Sequence, residues 1–366
     1  MRQADHFGCK QVMNSKIFLL FLAICKLAYG MPKNIEQIRE MYQKPSSVWE
    51  KPNVDTGVDY KELSPLPLKA SFPKYNPYSK EKAKLGKKLF YDPLLSLSKK
   101  LSCASCHKKE FGFADNVKLS LGHNDQKGTR NTPSITMSAF GKEKFWDGRA
   151  KNLEDQALFP IANPKEMALP LKDLLRRLNV DKFYKKEFQT AFQTSPITLK
   201  QIADALATYE RTLLPKRNAF DKFLLGEKNA LSDKEVWGLH LFRTKAKCMN
   251  CHYGTAFSDG KFHNLGLTYY KRKYQDLGRY EVSRDIKDIG TFKTPSLRGV
   301  IKSPPYMHNG LFPNLSGVLN AYNAGMFHPK PEDTNDALFP KTSPLLHKLF
   351  LNNEELKALE AFLKTL

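Results

Sequence analysis

The chain has 366 residues, enough for two globular domains. Hydrophobic residues at 41% and charged residues at 26% allow a buried core and exclude wholesale disorder, and a mean hydropathy of −0.50 excludes a multi-span membrane protein. The 59 Lys and Arg outnumber the 37 Asp and Glu for a formal net charge of +22, but the bases are dispersed and no nucleic-acid reader motif accompanies them, so the charge reads as a lysine-rich solvated surface able to steer anionic partners, with no nucleic acid among them.

Residues 1–30 read as an export signal. Lys16 precedes the apolar run Ile17–Cys25, and Ala28-Tyr29-Gly30 offers the small residues a signal peptidase recognises. Met13 is an alternative start, the run is short for a permanent membrane helix, and a lipidated Cys25 is the weaker alternative because Ile24 is large for that site. Residues 31–78 hold seven prolines and little periodicity and read as an N-terminal extension draped on the first domain. A helix carrying Gly86-Lys-Lys-Leu89-Phe90 follows, and then the turn Cys103-Ala-Ser-Cys106-His107.

That pentapeptide recurs 145 residues later as Cys248-Met-Asn-Cys251-His252. C-x-x-C-H is the pattern of covalent c-type haem attachment: two thiols add across the vinyl groups, and the histidine ligates iron from below the ring. Cys9 and Cys25 would leave with the signal, so the mature chain has no cysteine outside the two copies. The rival, a zinc site made from four thiolates, leaves both histidines unexplained. Two haem c groups are therefore expected, attached through Cys103, Cys106, Cys248 and Cys251, with His107 and His252 on the irons.

The sequence around the motifs repeats as well. Thr132-Pro133-Ser134-Ile135 matches Thr294-Pro295-Ser296-Leu297. Fifteen residues after each proline comes Gly148 or Gly310, and four residues later Asn152-Leu153 or Asn314-Leu315. This register aligns Trp146 with His308 and Pro160 with Tyr322. Capping boxes open helices at Thr198-Leu-Lys-Gln201, ending near Pro215, and at Ser232-Asp-Lys-Glu235, ahead of Gly238-Leu-His-Leu241-Phe242. Proline-containing loops span 160–170 and 301–313, and helical spacing returns over 353–366. The expected fold is mainly α: two duplicated cytochrome c-like haem domains with long loops, over residues 79–225 and 226–366.

In this order, Leu85-Gly86-Lys-Lys-Leu-Phe-Tyr-Asp-Pro93, Gly122-His123, Lys127-Gly-Thr-Arg-Asn-Thr-Pro133, Phe145-Trp-Asp-Gly-Arg149, Glu166-Met167 and Pro305-Tyr-Met-His-Asn-Gly310, together with the two motifs, resemble the bacterial dihaem cytochrome c peroxidase family, which includes the MauG-type enzymes. The resemblance covers about residues 80–366. It implies a peroxidatic haem on His107 and an electron-transfer haem on His252. It further implies that His123 closes the first iron in the resting state, that Glu166 is the distal carboxylate with Gln156 and Pro160 lining its pocket, and that Trp146 lies between the haems. Asn131, with the carbonyls of Ser303 and Pro305, matches a calcium site, a mixed oxygen set that suits the ion. His240, His263, His328 and His347 have no matching role.

One position departs from the peroxidases. They place a methionine on the second haem, whereas the matching residue here is Tyr322, as in the MauG-type pattern, with Met326 as its rival and Met307 as a weaker one. A phenolate should lower the potential that a methionine would raise. The resemblance implies an oxidoreductase of the cytochrome-c peroxidase type, reducing hydrogen peroxide to water with electrons from a small redox protein, a cytochrome c or a cupredoxin. The alternatives are a MauG-like enzyme that oxidises residues of a partner protein through a high-valent dihaem state, and a dihaem electron carrier without enzyme activity. The export signal and the covalent haem imply a periplasmic protein, and the resemblance leaves room for a homodimer.

Overall fold

The computed structural model describes Pro32, residues 34–331 and residues 336–366. The expected export signal and the Cys25 anchor lie outside the described residues. The chain is rich in helix: α1 Ile35–Tyr42, α2 Lys80–Tyr91, α3 Cys103–Cys106, α4 Leu153–Ala162, α5 Leu171–Val180, α6 Lys182–Phe192, α7 Leu199–Arg211, α8 Ala219–Leu224, α9 Asp233–Arg243, α10 Tyr280–Ser283, α11 Leu315–Asn323 and α12 Asn353–Leu363. Regular strand among the described residues is confined to the antiparallel pair β1 Phe262–His263 and β2 Phe292–Lys293.

Two glycines set the main helix crossings. A Cβ on Gly86 of α2 would lie 1.9 Å from Ala205 O of α7, and one on Gly238 of α9 would lie 2.0 Å from Ala358 O of α12. Only a residue without a side chain lets each pair of backbones approach so closely. Each crossing organises its own hydrophobic core. Leu85, Leu89 and Phe90 pack with Leu174, Phe188, Ile202 and Leu206 in one. Phe220, Phe242, Phe257 and Phe362 pack edge to face in the other, with centroids of successive rings 5.4 to 5.8 Å apart.

Smaller features recur in the register read from the sequence. Isolated bridges join Lys144 to Ala150 and Tyr306 to Phe312. Asn152 and Asn314 each cap the next helix, accepting from Asp155 N and Gly317 N. Ser134 Oγ donates to Gly112 O, and Ser296 Oγ to Ala256 O. The capping boxes at Thr198 and Ser232 form as expected.

The N-terminal extension differs from its expectation. α1 packs on the later core: Ile35, Ile38 and Tyr42 bury there with Trp49 and Leu63. Arg39 is bound to Asp233 and Leu231 O, while Arg243 reaches back to Glu50 O and Glu62. An apolar stripe on a short helix needs a matching surface, and α9 supplies it. The extension crosses to the earlier half further on, where Asn76 Nδ2 donates to Glu154 and Asp204 O. α8 also belongs to the later core, through Phe220 and Phe223. Pro160, read as the start of a loop, lies inside α4 instead.

Candidate active site

Both C-x-x-C-H turns border one cavity of about 620 Å³. The first turn is α3, whose N-terminus is closed by reciprocal bonds between Ser102 and Ser105. His107 N–H then bonds Cys103 O at 2.9 Å, and His252 N–H bonds Cys248 O at 2.9 Å in the same way. In each imidazole Nδ1 is used up by a backbone carbonyl: His107 by Phe113 O at 2.9 Å and His252 by Phe257 O at 2.8 Å. A carbonyl can only accept, so Nδ1 carries the hydrogen and Nε2 keeps a lone pair for a metal. Phe113 and Phe257 both adopt positive φ, 57° and 50°, a conformation uncommon for aromatic residues. Burial lowers the pKa of both imidazoles, which favours the neutral form that a metal ligand needs.

The four cysteines are free thiols. Burial pushes Cys103, Cys248 and Cys251 up to about 12 and Cys106 up to about 11. They do not converge. Among the described residues the one close group of potential metal donors is Cys251, Asp259 and His263, so the four-thiolate zinc arrangement is not assembled. Paired neutral thiols beside an imidazole with a free Nε2, facing a cavity walled by Leu, Phe, Pro and Met side chains, fit a covalently attached haem at each motif.

Glu166, Gln156 and Pro160 line the cavity near the first motif. Glu166 Oε1 accepts from Asn163 Nδ2 at 2.7 Å. Burial raises the Glu166 pKa, against the hydrogen bond from Asn163 and the charge of Arg149. His123 lies beside this wall. Its backbone N–H donates to Glu166 O at 2.7 Å, and its Nδ1 is buried without a hydrogen-bond partner. Trp146 is fixed by its Nε1–H bond to Asn131 O at 2.9 Å, and Lys293 N–H ties its carbonyl to β2 at 2.8 Å. Its ring stands edge-on to His308 at 6.4 Å, so residues aligned by the repeat meet in space. His308 itself stacks on Phe292 at 3.5 Å, and burial pushes its pKa down to about 4.

On the other side, Tyr322 of α11 and Met307 line the cavity beside the second motif. Burial raises the Tyr322 pKa, and the Cys251 and Cys248 thiols are close enough to add to the shift. Met326 is buried away from the cavity lining. Asn131 is buried, with Nδ2 donating to Val117 O at 2.9 Å and its backbone N–H to His308 O at 2.6 Å. Ser303 and Pro305 line the cavity.

Several residues on this wall escaped the sequence reading. Asn163, which holds Glu166, is signalled only by the turn dipeptide Asn163-Pro164. Lys144, buried, and Lys293, half-buried, line the cavity. Lys144 Nζ donates to Ser138 O at 2.7 Å and Gly141 O at 2.8 Å, and Lys293 Nζ donates to Glu143 O. Burial, with Lys293 adding, pushes Lys144 down to about 7. His263, read as structural, also lines the cavity, its Nε2 2.7 Å from Asp259. Glu210 of α7 is there too.

The family model described as di-haem cytochrome c peroxidase matches residues 80–229. The chain is 38% identical over 245 residues to the cytochrome c551 peroxidase of Nitrosomonas europaea, covering 67% of this chain and 72% of that one. It is 38% identical over 262 residues to the methylamine utilization protein MauG of Methylorubrum extorquens, covering 71% and 73%. Among solved structures, a MauG-like protein associated with microbial copper homeostasis superposes with a TM-score of 0.73 at 31% identity, over 82% of this chain and 94% of that one. The diheme peroxidase BthA from Burkholderia thailandensis shares the fold, with a TM-score of 0.68 at 21% identity over 88% of this chain and 94% of that one.

Proposed function

This chain belongs to the dihaem cytochrome c peroxidase family, and from that premise we propose that it reduces hydrogen peroxide to water with electrons from a small redox protein (H₂O₂ + 2 H⁺ + 2 e⁻ → 2 H₂O). The two halves are duplicated cytochrome c-like domains. Cys103, Cys106 and His107 would hold one haem c, and Cys248, Cys251 and His252 would hold the other. When bound, the haem irons supply the site for peroxide and the one-electron redox chemistry. The observation that carries the reading is the second coordination-ready histidine: two C-x-x-C-H turns, each with Nδ1 spent on a carbonyl, border the cavity that also holds the half-buried Glu166.

Glu166 is the proton-transfer group. Asn163 occupies Oε1, which leaves Oε2 to take a proton from one peroxide oxygen and return it to the other. Its raised pKa suits that return, because a strongly acidic carboxyl would keep its proton too poorly. Gln156 and Pro160 bound the same pocket. His123 would close the first iron in the resting protein and would have to leave before peroxide binds; its segment is held by the His123 N–H bond to Glu166 O and by the Gln126 side chain, which donates to His123 O and Pro164 O. Trp146, held rigidly where the halves meet, carries electrons between them.

Tyr322 would be a protein ligand to the iron of the His252 haem, supported by its place on the cavity wall when Met326 has none. The same observation favours a second reading: a MauG-like enzyme that withdraws electrons from residues of a partner protein. Calcium at Asn131, Ser303 and Pro305 and a periplasmic location complete the proposal. The test is a hydrogen peroxide titration of the holoprotein, monitored by optical and EPR spectra from fully oxidised and half-reduced starting states. Turnover only after half-reduction supports the peroxidase. A long-lived doubly oxidised product formed at once from the oxidised protein supports the MauG-like reading. Glu166→Gln should slow peroxide turnover by about 10²–10⁴ with both haem spectra intact, and unchanged turnover would remove Glu166 from the mechanism.

A further inference from the structure

Glu210 is 7% exposed, sits near the C-terminal end of α7, and lines the cavity. Among the described residues no hydrogen bond or ion pair reaches its carboxyl, although buried carboxylates are almost always paired. The cations around it are engaged elsewhere. Arg211 binds Glu154 through two contacts of 2.6 and 3.0 Å, and Lys144 binds the carbonyls of its own loop. The charges that act on Glu210 are Lys144 from the 138–150 loop and Arg211 on α7, which favour its anion, and Glu154 on α4, which opposes it. Cys103, on the first haem-attachment turn, packs against the core that contains Leu206 and Tyr209 of α7, and Cys103 and Glu210 line the same cavity. Burial outweighs the two cations and pushes Glu210 up to about 7.

We propose that Glu210 is a redox-linked proton acceptor: it takes up one proton from solvent when an electron enters the haem held at Cys103, Cys106 and His107, and releases it when that electron leaves. This rests on the haem attachment proposed above. The balance is one electron from the reduced redox protein and one proton from water, with a single O–H bond formed on the Glu210 carboxyl. The cause is electrostatic. In a cavity of low polarisability, an added negative charge raises the proton affinity of a nearby carboxyl with no hydrogen bond to hold its anion. The reduced state then binds more protons than the oxidised state. The reduction potential of the first haem therefore falls with rising pH across the range in which the oxidised protein has lost the Glu210 proton and the reduced protein still holds it.

The experiment is a spectroelectrochemical titration of the holoprotein at several pH values on both sides of neutrality, with reduced-minus-oxidised infrared difference spectra. The wild type should show a potential that falls with pH and a protonated-carboxyl C=O band that appears on reduction. Glu210→Gln should lose both. Glu210→Asp, which keeps a carboxyl, should retain both, and Lys144→Met should keep the band. The proposal is overturned if Glu210→Gln keeps the pH dependence or the band, or if the dependence vanishes in Lys144→Met while Glu210 is intact. A holoprotein preparation without haem absorbance would instead overturn the attachment reading, and this proposal with it.

Discussion

A phenol on the wall beside Cys248 and Cys251 is pushed away from ionisation by burial, so only a bound cation would draw Tyr322 into its anionic form. A hard anionic donor stabilises ferric iron, whereas Met/His ligation raises the potential. Tyr322→Met should accordingly raise the potential of the His252 haem, measured by spectroelectrochemistry, with Met326→Leu leaving it unchanged. A shift in the Met326 variant alone would transfer the ligand role to that residue. The sequence register pointed to Tyr322 by aligning it with Pro160, and both residues line the cavity. The sequence was silent on the groups that orient the imidazoles, because Phe113 and Phe257 act through their carbonyls, and a carbonyl has no signature in residue type. Glu210 was invisible for another reason: a glutamate within an amphipathic helix reads as solvated until the fold turns that face inward.

At the scale of helices, the two glycine crossings hold each half together. An alanine at Gly86 or Gly238 would drive a methyl group into a backbone carbonyl, so the helices must separate. Gly86→Ala and Gly238→Ala should each cost about 1–3 kcal/mol or more, read from denaturant unfolding, as overpacking does elsewhere. Cost-free substitution would mean the helices are less closely apposed. Helices with capping boxes were legible in the middle of the chain, since Thr198 and Ser232 announce themselves by side chain. α1 was missed because it has only eight residues with no side-chain cap and a proline-rich sequence after it, although Ile35, Ile38 and Tyr42 keep helical spacing. The extent of α4 was misjudged at Pro160. A proline near the end of a helix removes one hydrogen bond but does not have to end the helix, and the carbonyl it leaves without a donor belongs to Gln156 on the cavity wall.

The whole molecule is tied across its halves by charge. Arg130 bonds Asp147 of the earlier half and Asp276 of the later half, the latter through two contacts of 2.7 Å. Arg298 and Asp221 form a fully buried pair at 2.7 Å, and each also holds the N-terminal extension: Arg298 donates to Ser64 O, and Leu66 N–H donates to Asp221. Such pairs act over long sequence separations, so sequence alone could show the repeat but not how its copies are clamped. The clamps matter because the proposed activity needs two metal groups at a fixed separation. Intact mass spectrometry of the protein, matured in a cell that attaches haem c, tests this most directly. The wild type should carry the added mass of two haems. Replacing Cys103 and Cys106 with serine should remove one of them, and replacing Cys248 and Cys251 should remove the other. A polypeptide of unmodified mass, or one haem retained after either pair is replaced together with the other, would contradict the account.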